Sequence, residues 1–121
     1  MLRILLVEDS QLLTERLREE INVIPEVEIV GTADTEHRAL ALLREKTVDL
    51  LILDLQLRSG TGFGVLAKLV PPKPVVLVFT NYAIPAYARR ALQLGADQVM
   101  DKSRDFERLI KVIEDVRKPP T

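Results

Sequence analysis

The stretch VDLLILDLQLRSGTG, Val48 to Gly62, decides the fold. From Val48 to Leu53 it is apolar apart from Asp49, the pattern of a strand buried on both faces. It then reaches Asp54, turns polar, and places glycines at Gly60 and Gly62. A carboxylate at the end of such a strand is costly to ionise unless partners lie close by. Those partners have to come from elsewhere in the chain.

Four further apolar, β-branched runs flank this one: Arg3–Val7, Val27–Gly31, Pro74–Phe79 and the short Gln98–Met100. Helical periodicity fills the intervals. After Ser10, an N-cap residue type, Leu13, Leu17 and Ile21 repeat every fourth position, and after Thr35 the residues Ala39, Leu42 and Leu43 do the same. A short third helix fits between Gly62 and Val70, closed by Pro71 and Pro72. The fourth opens at Pro85 and stops at Gly95. The fifth carries Phe106, Leu109, Ile110 and Ile113, with Ser103 as its expected cap. Strand–helix alternation of this kind predicts a doubly wound α/β fold, a five-stranded parallel sheet with helices on both faces.

The whole-chain properties fit one globular domain spanning residues 1–121. Apolar residues make up 47% and charged ones 29%, so the chain can bury a core. A net charge of −1 supplies no basic field for DNA or anionic lipid. No run reaches the ~20 apolar residues of a membrane span, and charge arrives too early in MLRILLVED for a secretory signal. Cysteine is absent, which removes disulfides and thiolate metal sites and is compatible with a reducing, cytoplasmic setting. The closing RKPPT reads as a natural terminus or as the stub of a linker, and the expectation is a stand-alone domain with no output domain.

In an open parallel sheet, ligands bind beyond the carboxyl ends of the strands. Here those ends carry Glu8 and Asp9, Asp54, Thr80 and Lys102. A charge at one strand end usually just meets water; gathered together, these residues form a site. Clustered carboxylates resist full ionisation, and a hard cation resolves the conflict. Oxygen ligands without His or Cys suit Mg²⁺. A carboxylate beside that cation can act as a nucleophile toward phosphorus, while Thr80 and Lys102 offer a hydrogen bond and a charge to phosphoryl oxygens.

On LLVEDS, LILDLQLRSGTG, VLVFTN, LGADQVMDKS and the amphipathic last helix, the chain resembles the response-regulator receiver domain of two-component signalling. That resemblance implies a flavodoxin-like (βα)5 fold and Asp54 as phosphoacceptor, supplied by a sensor histidine kinase, a phosphotransfer protein or a small phosphodonor. It implies Mg²⁺ held by Glu8, Asp9, Asp54 and the Gln56 backbone carbonyl, with Thr80 and Lys102 on the phosphate. Catalysis would extend only to the domain's own phosphorylation and dephosphorylation, with output by protein–protein contact and no direct DNA or membrane binding.

Four positions depart from the family's usual pattern: Arg58 for a proline, Ser103 for another, Asn81 for a very small residue and Val99 for an aromatic switch. With Ser103 the Lys102–Ser103 bond is expected to be trans, since a cis bond there costs about 3–4 kcal/mol. Asn81 and Tyr82 border the phosphate position and set access to it. Val99 and Asn81 motivate the alternative reading, a phosphorylation-independent receiver-like binding module. A haloacid-dehalogenase-type phosphatase is the other rival, but its general acid would fall at Gln56. Of the remaining residues, His37 reads as solvated and Leu12 as a partner-contact candidate. Val112 and Val116 read as core edge, with a target contact or a homodimer across the face of the fourth helix, fifth strand and fifth helix as the lesser reading.

Overall fold

The computed structural model describes residues 1–118, and strands and helices alternate through them. The strands are β1 (Leu2–Val7), β2 (Val27–Ala33), β3 (Leu50–Leu53), β4 (Val75–Thr80) and β5 (Gln98–Asp101). The helices are α1 (Gln11–Asn22), α2 (Glu36–Glu45), α3 (Gly62–Ala67), α4 (Pro85–Gln93) and α5 (Phe106–Arg117). All strand pairs are parallel, in the order β2-β1-β3-β4-β5. The order reverses between β1 and β3, and a crevice opens at the carboxyl ends of those two strands.

Period-two alternation along the strands divides the core. Leu5, Val7, Leu51, Leu53, Val76 and Val78 pack with Ala39, Leu42, Val65, Leu66 and Ala91, which come from α2, α3 and α4. Ile4, Leu6, Leu50, Ile52, Leu77 and Phe79 face the other way, against Leu17 and Ile21 of α1 and Leu109 and Ile113 of α5. Because both faces are covered, β3 has no polar side chain until it ends.

Local signals set most helix starts. The hydroxyls of Ser10, Thr35 and Thr61 accept from the Leu13, Arg38 and Gly64 amides at 3.2, 3.1 and 3.1 Å. Pro85 opens α4, and Gly95, at φ 112°, follows its end. The expected capping by Ser103 is not what forms. Asp105 is the N-cap of α5, and the Ser103 hydroxyl and amide both donate to Asp101 Oδ1, at 2.6 and 2.8 Å. Asp101, two residues away, accepts from both donors of Ser103 and holds it in the turn ahead of α5. The Lys102–Ser103 bond is trans, as expected; Pro71–Pro72 is cis.

Several boundaries also differ: β1 starts at Leu2, β2 runs on to Ala33, β4 covers Val75–Thr80 and β5 reaches Asp101, while α3 and β3 are shorter than the sequence suggests. α3 ends at Ala67, before the prolines, because the Lys68 and Leu69 amides turn back to Val65 and Leu66 at 3.1 and 3.3 Å. β3 begins at Leu50; the Asp49 backbone still pairs with Arg3 O and Val75 N at 2.8 and 3.0 Å, but the Arg3 amide donates to Asp49 Oδ2 at 2.8 Å instead of to a backbone carbonyl. Residues 119–121 of the closing RKPPT lie outside the described residues.

Candidate functional site

Backbone pairing carries each strand's register into the site. The Glu8 amide donates to Ala33 O at 2.8 Å, Asp54 to Val7 O at 2.9 Å and Lys102 to Thr80 O at 3.1 Å. Each residue just past a strand is thereby held as firmly as the strand itself. Their side chains converge on the crevice between β1 and β3.

Lys102 Nζ lies 2.7 Å from Asp54 Oδ2 and 2.7 Å from Glu8 Oε1. The residues it bridges are buried, Asp54 at 4% exposure and Glu8 at 6%. The other oxygen of each carboxylate takes a backbone donor: Asp54 Oδ1 accepts from Gln56 N at 3.2 Å, and Glu8 Oε2 from Ser10 N at 2.9 Å. Asp9 is exposed, yet one oxygen each from Glu8, Asp9 and Asp54 all lie within 4.8 Å of one another.

The electrostatics follow from this crowding. Burial drives the Glu8 carboxyl up to about 7, against the pull of its bonds to Lys102 and Ser10, and the Asp54 charge pushes it further up. Burial alone would lower the Lys102 ammonium, but hydrogen bonds to Asp54 and Glu8 outweigh it and hold the group above its ordinary value. Two buried carboxylates thus share one cation, and an exposed third stands at the mouth. An all-oxygen set short of positive charge has the chemistry to take a hard divalent ion.

Thr80 ends β4, fully buried, and its hydroxyl accepts from the Tyr82 amide at 3.1 Å. The hydroxyl therefore faces the β4–α4 loop, and among the described residues no hydrogen bond joins it to the side chains of Asp54 or Lys102. Asn81, Tyr82 and Gln56 are exposed around the crevice. Val99 is half-buried and packs on the α2–α3–α4 side of the sheet, away from Met100 in the opposite core. His37 and Leu12 are exposed, and Val112 and Val116 half-buried.

Sequence reasoning missed what anchors the β3–α3 loop. Arg58 pairs with Asp34 at 2.9 Å, its amide donates to Asp34 O at 2.9 Å, and the Glu36 amide donates to Ser59 O at 3.0 Å. Glu36 also reaches across with its side chain, accepting from the Thr61 amide at 3.1 Å and from Lys68 Nζ at 3.2 Å. It was equally silent on the edge-to-face contact of Phe63 with Tyr87, 5.9 Å between ring centroids, with the Arg90 guanidinium 4.2 Å over Phe63. The only signal for either was the small residues Gly60 and Gly64 beside Glu36.

A doubly wound sheet whose switch point holds three carboxylates and a lysine defines the class: an α/β domain built to handle a charged ligand at its carboxyl edge. The family model of the response regulator receiver domain matches residues 4–114, and the chain belongs to that family. The sensory transduction protein LytT of Bacillus cereus is 32% identical over 98% of this chain and 48% of its own length. The transcriptional regulatory protein DesR of Bacillus subtilis is 27% identical over 96% of this chain and 58% of its own length. The chain spans about half the length of the curated relatives it matches. Among solved structures, a LuxR-family DNA-binding response regulator from Staphylococcus aureus superposes with a TM-score of 0.87 at 25% identity, covering 98% of this chain and all of that one. The response regulator domain of Thermotoga maritima CheB gives 0.84 at 22% identity over 99% of each chain, a likeness of fold. The chain is therefore a receiver domain of two-component signalling, and none of its described helices is long and apolar enough to cross a membrane.

Proposed function

We propose that Asp54 is the phosphoacceptor of this receiver domain. One observation carries the reading: the Asp54 carboxylate is buried at the switch point with Lys102 Nζ 2.7 Å away. An Asp54 carboxylate oxygen attacks phosphorus, the bond from phosphorus to the donor breaks, and the electron pair leaves with the donor, an imidazole when the donor is phosphohistidine. Lys102 then has a phosphoryl oxygen to pair with in place of the carboxylate. Thr80, once released from the Tyr82 amide, offers its hydroxyl to another. Glu8, Asp9, Asp54 and the Gln56 carbonyl would hold Mg²⁺, which neutralises charge on the transferring group when bound.

The chain's catalysis is confined to gaining and losing this phosphoryl group. Its donor is a histidine kinase or phosphotransfer protein, and output passes to a protein target over the α4, β5 and α5 face. That face exposes Ile84, Tyr87 and Leu92 and suits a target or a second copy.

Acetyl phosphate with Mg²⁺ should raise the intact mass by one phosphoryl group, and Asp54→Asn should abolish the gain. Excess chelator should stop labelling of the wild type. A variant that still labels places the nucleophile elsewhere. A wild type that never labels favours a binding module that works without phosphorylation.

A further inference from the structure

At the opposite pole of the sheet from Asp54, a groove of about 700 Å³ runs between α2, the end of α3 and the start of β4. Leu40 and Leu43 of α2 form one wall, and Leu69 with Val70 the other. Val70 is 74% exposed, a large apolar side chain with nothing of its own fold over it. Around this apolar floor stand Arg44, Lys46, Lys68 and Lys73. The one carboxylate in the lining, Asp49, already accepts from the Arg3 amide. Lys68 pairs with Glu36, and Arg44, Lys46 and Lys73 have no ion-pair partner among the described residues.

A chain of net charge −1 thus concentrates unpaired cations around an open apolar groove, far from its acidic pocket. We infer that this groove docks a protein segment that sets acidic residues beside one or two aliphatic or aromatic anchors. Charge complementarity selects the acids. The apolar floor selects the anchors, because leucine walls gain nothing from a phosphodiester backbone or a lipid headgroup. The groove's concavity also suits inserted side chains better than a bilayer surface. Pro71, Pro72 and Pro74 lie in the rim. Their fixed φ angles keep it preformed, and their missing N–H groups disfavour recognition by an added strand. None of its lining residues belongs to the acidic pocket around Asp54.

A phage-displayed library of random peptides, selected on the full chain, tests the proposal directly. Recovered peptides should combine acidic with aliphatic or aromatic residues. A synthetic copy of the strongest should lose at least tenfold in affinity on the triple variant Arg44→Glu, Lys46→Glu, Lys73→Glu. It should lose as much on Val70→Asp and keep its affinity on Asp54→Asn. The substituted residues are exposed, and unchanged circular dichroism confirms that each variant folds. Selection that yields no peptide sensitive to these substitutions, or only peptides without acidic residues, overturns the inference. Binding of a single-stranded oligonucleotide or of phosphatidylglycerol vesicles through the same cations, with no peptide bound, overturns it equally and reassigns the surface.

Discussion

Two glycines two positions apart at the start of α3 should respond to the same substitution in opposite ways. A Cβ built on Gly62 would collide with the Asp54 carbonyl oxygen and stand 2.9 Å from Leu55 Cα. Both are backbone atoms of the segment that carries the phosphoacceptor candidate, and the Gly62 amide is bonded to Leu55 O at 2.9 Å. Nothing there can swing aside. Overpacking costs about 1–3 kcal/mol, and backbone displacement belongs at the upper end of that range. Replacing glycine by alanine at a helix start returns about 0.5–1 kcal/mol. Gly62→Ala should therefore lose about 2 kcal/mol net.

The three atoms nearest a Cβ on Gly64 all belong to the Glu36 carboxylate, the free end of a flexible side chain, and it would collide with them. Glu36 can rotate away, giving up the Thr61 amide and Lys68. That loss is about 1–2 kcal/mol for a partly solvated charged hydrogen bond and an exposed ion pair. Alanine in a helix interior returns about 1 kcal/mol. Gly64→Ala should fall within about 1 kcal/mol of the wild type. Urea unfolding followed by circular dichroism separates the two. With m of roughly 1–3 kcal/mol/M, Gly62→Ala should lower the midpoint by roughly 0.7–2 M. Its labelling by acetyl phosphate should fall at least tenfold. Equal midpoints for the two variants would refute the claim that the Asp54–Gly62 turn is closed by direct backbone contact.

Burial raises Glu8 from 4.5 to about 7, so its contribution to stability is present at low pH and lost as pH rises between those values. At about 1.4 kcal/mol per unit the loss is roughly 3 kcal/mol; in chelator Glu8→Gln should be flat over that window, and a parallel decline of both proteins would remove the assignment. Tyr82, exposed beside Thr80, should shield the phosphoryl group from water, so Tyr82→Ala should shorten the phosphoryl lifetime; unchanged or slower decay refutes it. Beryllofluoride with Mg²⁺ should change amide exchange mainly across Thr80–Arg90, because the Tyr82 amide loses its acceptor when Thr80 turns; changes confined to Val99, or none beyond the site, exclude this route.

The strands and the acidic pocket were legible because each rests on local pattern. An apolar run ends on a carboxylate, and parallel topology then sends every such end to one edge. Boundaries were less legible where a side chain competed with a backbone group. Asp49 replaces a ladder rung with its own carboxylate, and Asp101 takes the Ser103 hydroxyl that was expected at the helix cap. The Glu36 latch was illegible for a stronger reason. Its two partners are distant in sequence, and only the meeting of two loops gives Thr61 N an acceptor.

The output route combines both kinds of information. Valine at position 99 is stiff about χ1 and has no ring to move between core and solvent, so Thr80 cannot be reported by a rotating aromatic there. The structure holds aromatics elsewhere on the path. Thr80 is tied to the amide of Tyr82, two residues before Ile84 and the start of α4. From α4, Tyr87 and Arg90 close on Phe63, one residue past the Gly62 turn that abuts Asp54. The loop and the Phe63–Tyr87 contact thus approach Asp54 from both sides and meet in α4. A phosphoryl group that draws Thr80 away from Tyr82 would release one side of this ring of contacts while the Gly62 turn holds the other. Movement would then be directed into α4, where exposed Tyr87 and Leu92, with Ile84 at the N-cap, would present it to a partner.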